Sequence, residues 1–352
     1  MRVLGLMSGT SLDGLDMAYV DFDDDNPAFY VILQAETLPY SASMRKKLEQ
    51  AYELEGEALL RLHTEYGKFL GRKVKEFLYR HDLPAPDIVA SHGQTVYHRP
   101  ESRMTFQLGS GAHLAAECGI DTVCDFRIQD VALGGQGAPL VPVGDKLLFA
   151  DYPYCLNLGG FANISFDNER NQRIAYDIVP ANIVLNYYAR LKGKEYDENG
   201  RMAARGKIHQ ALLSRLDALP YFSRSIPKSL GWEFVEEHVL PLIDSYGLPV
   251  EDVLRTYTEH IARQIGKNVS QGKMLVTGGG AFNEFLMDRI RHYAAAEVII
   301  PDKTLVMFKE ALIFALLGYL KMKNQINVLK SVTGAQTDHV AGIFYPAPPQ
   351  KK

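Results

Sequence analysis

The chain opens in short blocks of β period. Residues 2–7, 17–22 and 29–38 are three apolar runs carrying β-branched or aromatic residues, parted by a polar turn at 8–14 (SGTSLDG) and an acidic one at 23–27. They predict three consecutive strands in an antiparallel meander. The period then lengthens. Across residues 43–81, apolar positions recur at Leu48, Tyr52, Leu59, Leu62, Tyr66, Phe69, Leu70, Val74, Phe77 and Leu78, the three- and four-residue steps of a core-facing helix. Gly56 is its natural break and the prolines at 84 and 86 its stop. Strand runs return at 87–90, 104–109 and 122–125, with a short helix at 112–118.

The second half repeats this plan. Residues 154–166 read as strand, glycine turn, strand, and 173–178 as a third strand. Helical stretches follow at 183–191, 203–219 and 251–268, then a β-run at 273–277, a glycine triplet, a helix at 281–293, a strand at 298–300 and an apolar helix at 309–320. The tail from 332 to 352 predicts a frayed end. The same entry pattern in both halves points to an internal duplication. Pro139 and Pro142 mark the crossing, so the expected units are 1–135, with 328–352 as a candidate completion, and 136–327.

Composition narrows the function classes. The 352 residues are 47% hydrophobic and 23% charged, with a net charge of -4, so no basic field points to nucleic acid or an anionic membrane. Three scattered cysteines form no disulfide framework and no CxxC pair. No stretch reads as a signal peptide, and the apolar run at 311–320 is about half of the ~20 residues that span a bilayer. These features predict a cytoplasmic protein with neither nucleic acid nor membrane as a partner.

The candidate chemistry sits mainly in loops. Ser8-Gly9-Thr10-Ser11-Leu12-Asp13-Gly14 places two glycines, three hydroxyls and a carboxylate at a hairpin tip. Glycine lets backbone N–H groups approach an anion, hydroxyls donate to it, and Asp13 can hold Mg²⁺ directly or through water. No Gly-Lys-Ser/Thr follows, and the first strand does not pass into a helix, which excludes Walker A and Rossmann readings. Residues 91–100 (SHGQTVYHRP) read as a polar loop fit to touch a polar ligand; a zinc reading of His92 and His98 lacks a third ligand nearby. Arg127 lies in a charged segment before the glycines at 134–137. Asp177 ends the third strand of the second half, and the triplet Gly278-Gly279-Gly280 offers bare backbone between strand and helix. Glu310 either complements a helix dipole or joins the site.

Two glycine hairpins followed by a glycine-rich strand-to-helix turn, in that order, fit an actin-like ATPase fold. The resemblance becomes particular in MSGTSLDGLD (7–16), HGQTVYHRP (92–100), DFRIQDVALGGQGAPLVP (125–142), NLGGFANIS (157–165), PKSLG (227–231), GGGAFN (278–283) and TGAQ (333–336). In these stretches, which run from end to end, the chain is similar to the anhydro-N-acetylmuramic acid kinases of the sugar-kinase/actin/heat-shock ATPase superfamily. That resemblance implies an α/β fold of two ribonuclease H-like lobes with a central nucleotide and sugar cleft, and a homodimer. It implies hydrolytic opening of 1,6-anhydro-N-acetylmuramic acid with phosphorylation of O6 from ATP, yielding N-acetylmuramate 6-phosphate in the recycling of peptidoglycan sugar. It puts ATP on Gly9, Thr10, Ser11, Leu12, Asp13, Gly14, Leu15 and Asp16, on Gly159, Gly160 and Asn163, and on Gly278, Gly279 and Gly280. The catalytic carboxylate matches Asp177, and His92, Gln94, Arg127 and Asn182 fall to the sugar. Where the family commonly reads Asp-Thr-Gly-Pro-Gly-Asn with a later Asp, this chain has Asp177-Ile178-Val179-Pro180-Ala181-Asn182 and Asn186. That departure bears on sugar identity and rate. The rival readings are a related sugar kinase with another substrate and an actin- or chaperone-like nucleotide switch.

Overall fold

The computed structural model describes residues 1–9, 12 and 14–349. The chain forms two units, Met1–Leu148 with Phe308–Lys352, and Phe149–Met307. The sequence placed the boundaries at 135 and 327. The segments between follow the first unit because they pack there: the helix Val141–Leu148 sets Gly144 against the Ile313 side chain, and Asp145 pairs with Lys309 at 2.7 Å with both side chains buried.

In the first unit, β1 (Arg2–Ser8), β2 (Gly14–Phe22) and β3 (Tyr30–Pro39) form the expected antiparallel meander. β4 (Ile88–Ser91) joins the other side of β1 in parallel. β5 (Gln94–Arg99) and β6 (Met104–Leu108) pair separately, and β7 (Thr122–Cys124) runs parallel to β4. The second unit repeats the topology. β8 (Tyr154–Leu158), β9 (Phe161–Asp167) and β10 (Arg173–Pro180) make the meander, and β11 (Lys273–Thr277) and β12 (Glu297–Ile299) extend β8 in parallel. The order is β3-β2-β1-β4-β7 in one sheet and β10-β9-β8-β11-β12 in the other. Two units with one ribonuclease H-like strand order, directions included, are the duplicated α/β architecture of the actin-like ATPases.

Several elements differ from the sequence reading. Residues 92–100 are not a loop. Gln94–Arg99 pairs with β6, with a bulge at Val96, because Thr95, Val96 and Tyr97 are β-prone. The long helical stretch divides into Ala42–Glu49, a 3₁₀ turn Ala51–Glu53 and Gly56–Arg80, and Tyr52 is exposed rather than in the stripe. Residues 203–219 split at Gly206 into Arg201–Arg205 and Gln210–Asp217. The helix after the glycine triplet starts later, at Glu284, capped by the Asn283 side chain, which accepts from the Leu286 N–H. The tail does not fray over the described residues. β13 (Ile343–Tyr345) adds antiparallel to β7, and buried Asn327 holds the returning chain by donating to the carbonyls of Leu317 and Ala341.

Over residues 311–320 the helix Lys303–Met322 is apolar on all sides because it is buried on all sides: Leu312, Ile313, Phe314, Ala315, Leu316 and Leu317 are at most 1% exposed. It lies so close to β1 that a Cβ on Gly5 would stand 2.0 Å from the Ala311 carbonyl oxygen. Among the described residues, no helix is long and apolar enough to cross a membrane.

Candidate functional site

In the first unit, the chemistry gathers at the ends of β1, β2 and β4. Ser8 closes β1 and anchors the polar turn through buried hydroxyls. Its Oγ donates to Gln94 Oε1 at 2.5 Å, so the 2.7 Å bond to Tyr40 is donated by the tyrosine. Tyr66 in turn donates to Tyr40 at 2.7 Å. Gln94 is therefore tied to the base of the turn through its oxygen, and its amide nitrogen keeps its donors for a ligand. The Leu12 N–H donates to the Gly9 carbonyl, and the Leu12 carbonyl accepts from Arg45 Nε at 3.1 Å. Leu12 and Leu15 send their side chains into the hydrophobic core, so both can meet a ligand through backbone alone. Thr10, Ser11 and Asp13 lie outside the described residues. Gly14 and Asp16 belong to β2, and Asp16 Oδ1 accepts from Thr37 Oγ1 at 2.5 Å.

His92 and Arg127 act as one unit. Arg127 Nε donates to His92 Nε2 at 3.0 Å, and an Arg127 Nη1 proton goes to the Gly137 carbonyl at 2.6 Å. An acceptor Nε2 requires a neutral imidazole with its proton on Nδ1. Burial, and then the Arg127 charge, hold the His92 pKa well below its ordinary value, which keeps the ring neutral. The zinc reading fails here: the guanidinium takes Nε2, His98 Nδ1 bonds Thr105, and no cluster of three metal-binding side chains exists among the described residues. His92 therefore orients Arg127, and it is Arg127 that retains further donors for a ligand. Burial lowers Arg127 to about 10, with Glu310 and Asp130 acting against that shift.

Glu310 is the group that sequence reasoning did not assign. It lies well inside the helix Lys303–Met322, past the first turn, so it does not complement the helix dipole. The surrounding protein raises its carboxyl, Arg127 opposes this and Asp16 adds to it. The three charges thus share one field. The available signal was a lone carboxylate, next to Lys309, at the head of the apolar run 311–320. Asp130, by contrast, is structural: it is fully buried and accepts from the Gly137 N–H and from Thr333 Oγ1.

In the second unit, strand register sets Thr277, Asn157, Asn163 and Asp177 side by side across β11, β8, β9 and β10. Beyond Asp177 the β9–β10 ladder carries a bulge, since Asp177 faces Asn163 while Val179 already faces Ala162. Burial raises the Asp177 carboxyl, and the Leu230 N–H, 2.9 Å from Oδ2, acts to lower it. Val179 and Ala181 are fully buried in this unit's core, so these two departures from the family pattern fill the packing behind Asp177 rather than a ligand surface, whereas Asn186 is half-buried.

The glycine loops of the second unit meet each other. A Cβ on Gly278, whose φ is +85°, would stand 2.5 Å from Asn157 Oδ1, and one on Gly280 would stand 2.8 Å from the Leu158 Cβ. The triplet therefore lies against the end of β8 and the Gly159-Gly160 turn. Asn182 braces the same place by donating from Nδ2 to the Leu158 carbonyl at 3.1 Å, and the N–H groups of Ala181 and Asn182 bond Gly160 and Gly159. Around Gly279 the space is open to 4 Å. The result is a patch of bare backbone that a planar or anionic ligand can approach.

Comparison with known proteins follows the same lines. A family model described as "Anhydro-N-acetylmuramic acid kinase" matches residues 1–347. The chain is 36% identical to the anhydro-N-acetylmuramic acid kinase of Saccharophagus degradans, over 97% of this chain and 98% of that one. It is 35% identical to the enzyme of that name from Mannheimia succiniciproducens, again over 97% and 98%. Among solved structures, component A of the (R)-2-hydroxyglutaryl-CoA dehydratase of Acidaminococcus fermentans aligns with a TM-score of 0.48 and 13% identity, over 92% of this chain and 99% of that one.

Proposed function

The chain belongs to the anhydro-N-acetylmuramic acid kinase family, and from this we propose that it hydrolyses the internal bond of 1,6-anhydro-N-acetylmuramic acid and phosphorylates the freed O6 from ATP. The product is N-acetylmuramate 6-phosphate, and the role is recycling of cell-wall sugar. The observation that carries the reading is Asp177: a carboxylate raised by burial, aimed by a bulge and given one N–H donor. That is the equipment of a general base.

Asp177 takes a proton from the water that attacks the anomeric carbon. The bond from that carbon to O6 breaks, and O6 attacks the γ-phosphate, so leaving group and nucleophile are the same atom. Arg127, oriented by His92, supplies positive charge for the developing O6 anion. Gln94 and Asn182 are assigned to the sugar through the donors that their structural bonds leave over. Phosphoryl transfer itself needs position and charge neutralisation. The polar turn from Gly9 to Gly14, with Leu15 and Asp16, and the second hairpin at Gly159, Gly160 and Asn163 would hold the ATP phosphates; the triplet would support the adenosine. Mg²⁺ would be bound by Asp13, directly or through water, and would neutralise phosphate charge. We also assign a homodimer, checked by light scattering in solution.

The direct test is ATP consumption with and without 1,6-anhydro-N-acetylmuramic acid. Sugar-dependent turnover is the expected result. Turnover with a different anhydro- or amino sugar alone, or hydrolysis indifferent to sugar, overturns the assignment. A second expectation isolates the nucleotide platform. Because nothing approaches a Cβ at Gly279, Gly279→Val should leave thermal stability within roughly 0.5 kcal/mol of the parent. It should nevertheless raise the KM for ATP several-fold. An unchanged KM would place the nucleotide elsewhere.

A further inference from the structure

The backbone and carboxylate of Asp177 are bonded from outside their own sheet. Its N–H donates to the Lys228 carbonyl at 3.4 Å, its carbonyl accepts from the Tyr221 hydroxyl at 2.6 Å, and its Oδ2 accepts from the Leu230 N–H at 2.9 Å. All three partners lie within residues 221–230. β10 is the edge strand of its sheet, so the backbone groups of Asp177 that do not bond β9 are open to partners from outside the sheet.

That segment has little else to hold it. Beyond the 3₁₀ turn Pro220–Ser223 it forms no helix or strand until Trp232, and residues 223–227 and 229 are exposed. Lys228 is the half-buried exception. Its Nζ stands 4.8 Å from the centroid of the Tyr221 ring and 5.8 Å from that of Tyr176. Among the described residues it makes no ion pair. An ammonium over two aromatic faces is attracted by both. Tyr176 immediately precedes Asp177, and Tyr221 bonds its carbonyl, so the two rings that carry Lys228 are themselves fastened to the base.

We propose that Lys228 is a positioning residue: its cation, seated on Tyr176 and Tyr221, clamps residues 227–230 so that the Leu230 N–H stays on the Asp177 carboxylate. The inference rests on the reading of Asp177 as the general base. The titratable groups around Asp177 are Lys228, Tyr221 and Tyr176, and Tyr257 of the helix Val250–Lys267 reaches the Pro180 carbonyl further along β10. Loss of the Leu230 donor removes the contact that favours the ionised base, so the base then ionises at higher pH.

The test compares Lys228→Met, which keeps the stem, with Lys228→Arg, which keeps the cation. Amide hydrogen exchange by mass spectrometry reads the clamp, and the pH profile of kcat/KM for the anhydro sugar reads the base. The Met variant should exchange the Leu230 amide about tenfold faster and move the acid limb upward by about 0.5–1 pH unit, and Arg should restore both. Unchanged exchange in Lys228→Met overturns the clamp. Faster exchange with an unmoved acid limb supports the clamp and removes Asp177 from the role of base. Should the Met variant not fold, the parent protein decides: its Leu230 amide must exchange more slowly than those of residues 224–226, and equal rates overturn the proposal.

Discussion

Asp177→Asn should lower sugar-dependent phosphorylation by about 10³-fold or more in kcat, while the protein still binds ATP. Asparagine keeps the size of the side chain and can still accept from the Leu230 N–H, so the bulge and its loop are retained. What is lost is the capacity to take a proton from water, and a positioned base is worth roughly 10²–10⁴ in rate. Isothermal titration with a non-hydrolysable nucleotide beside steady-state kinetics separates the two effects. Near-parent turnover would mean that the base lies elsewhere. The pH behaviour follows from the same carboxyl. Only its ionised form is a base, and burial raises its pKa, so activity falls on acidification through a limb that sits higher than that of an ordinary aspartate. Stability runs the other way. A folded-state pKa above the unfolded one favours folding at low pH, and that contribution is lost as pH rises through the folded value. At neutral pH the variant should therefore melt no lower than the parent, the usual exchange of stability for function at a working site.

The legible part of this fold was its periodicity. Two strand–glycine–strand entries predicted two meanders, and the topology repeats in both units, because alternation and turn residues are local properties. Where the sequence misled, the deciding contact was distant. Residues 94–99 carry polar side chains and read as loop, yet their β-branched and aromatic members pair with β6. The tail reads as frayed because nothing local shows that β7 will accept β13 or that Asn327 will be buried with both polar atoms satisfied. The unit boundaries moved for the same reason, since Lys309 and Asp145 are far apart in sequence but paired. In the site, residue types were informative and partners were not. His92 carries a side chain suited to a ligand, but its Nε2 belongs to Arg127, and Gln94 is bonded to Ser8 through the oxygen that a sugar hydroxyl would seek.

Arg127→Met should lower kcat by about 10²–10³-fold, with a smaller effect on the KM for the sugar. The guanidinium is held at two points, Nε on His92 and Nη1 on the Gly137 carbonyl, so its remaining protons are directed before any substrate arrives. Donors fixed in advance act on charge that appears only in the transition state, which places their loss in kcat. Arg127→Lys keeps the charge but cannot make both contacts from a planar fork, and should recover only part of the rate. His92→Phe keeps the ring that packs 4.7 Å from Phe314 and removes the acceptor, so it should resemble the lysine variant rather than the methionine one. Burial brings Arg127 down to about 10, and a cation is lost as pH rises through its pKa, so this residue should impose no basic limb below about 10. Steady-state kinetics over sugar concentration and pH test each part. A rise in sugar KM with kcat preserved would make Arg127 a ground-state sugar ligand. A basic limb near neutrality that vanishes in Arg127→Met would show that the guanidinium is far less stable as a cation than its place beside Glu310 and Asp130 implies.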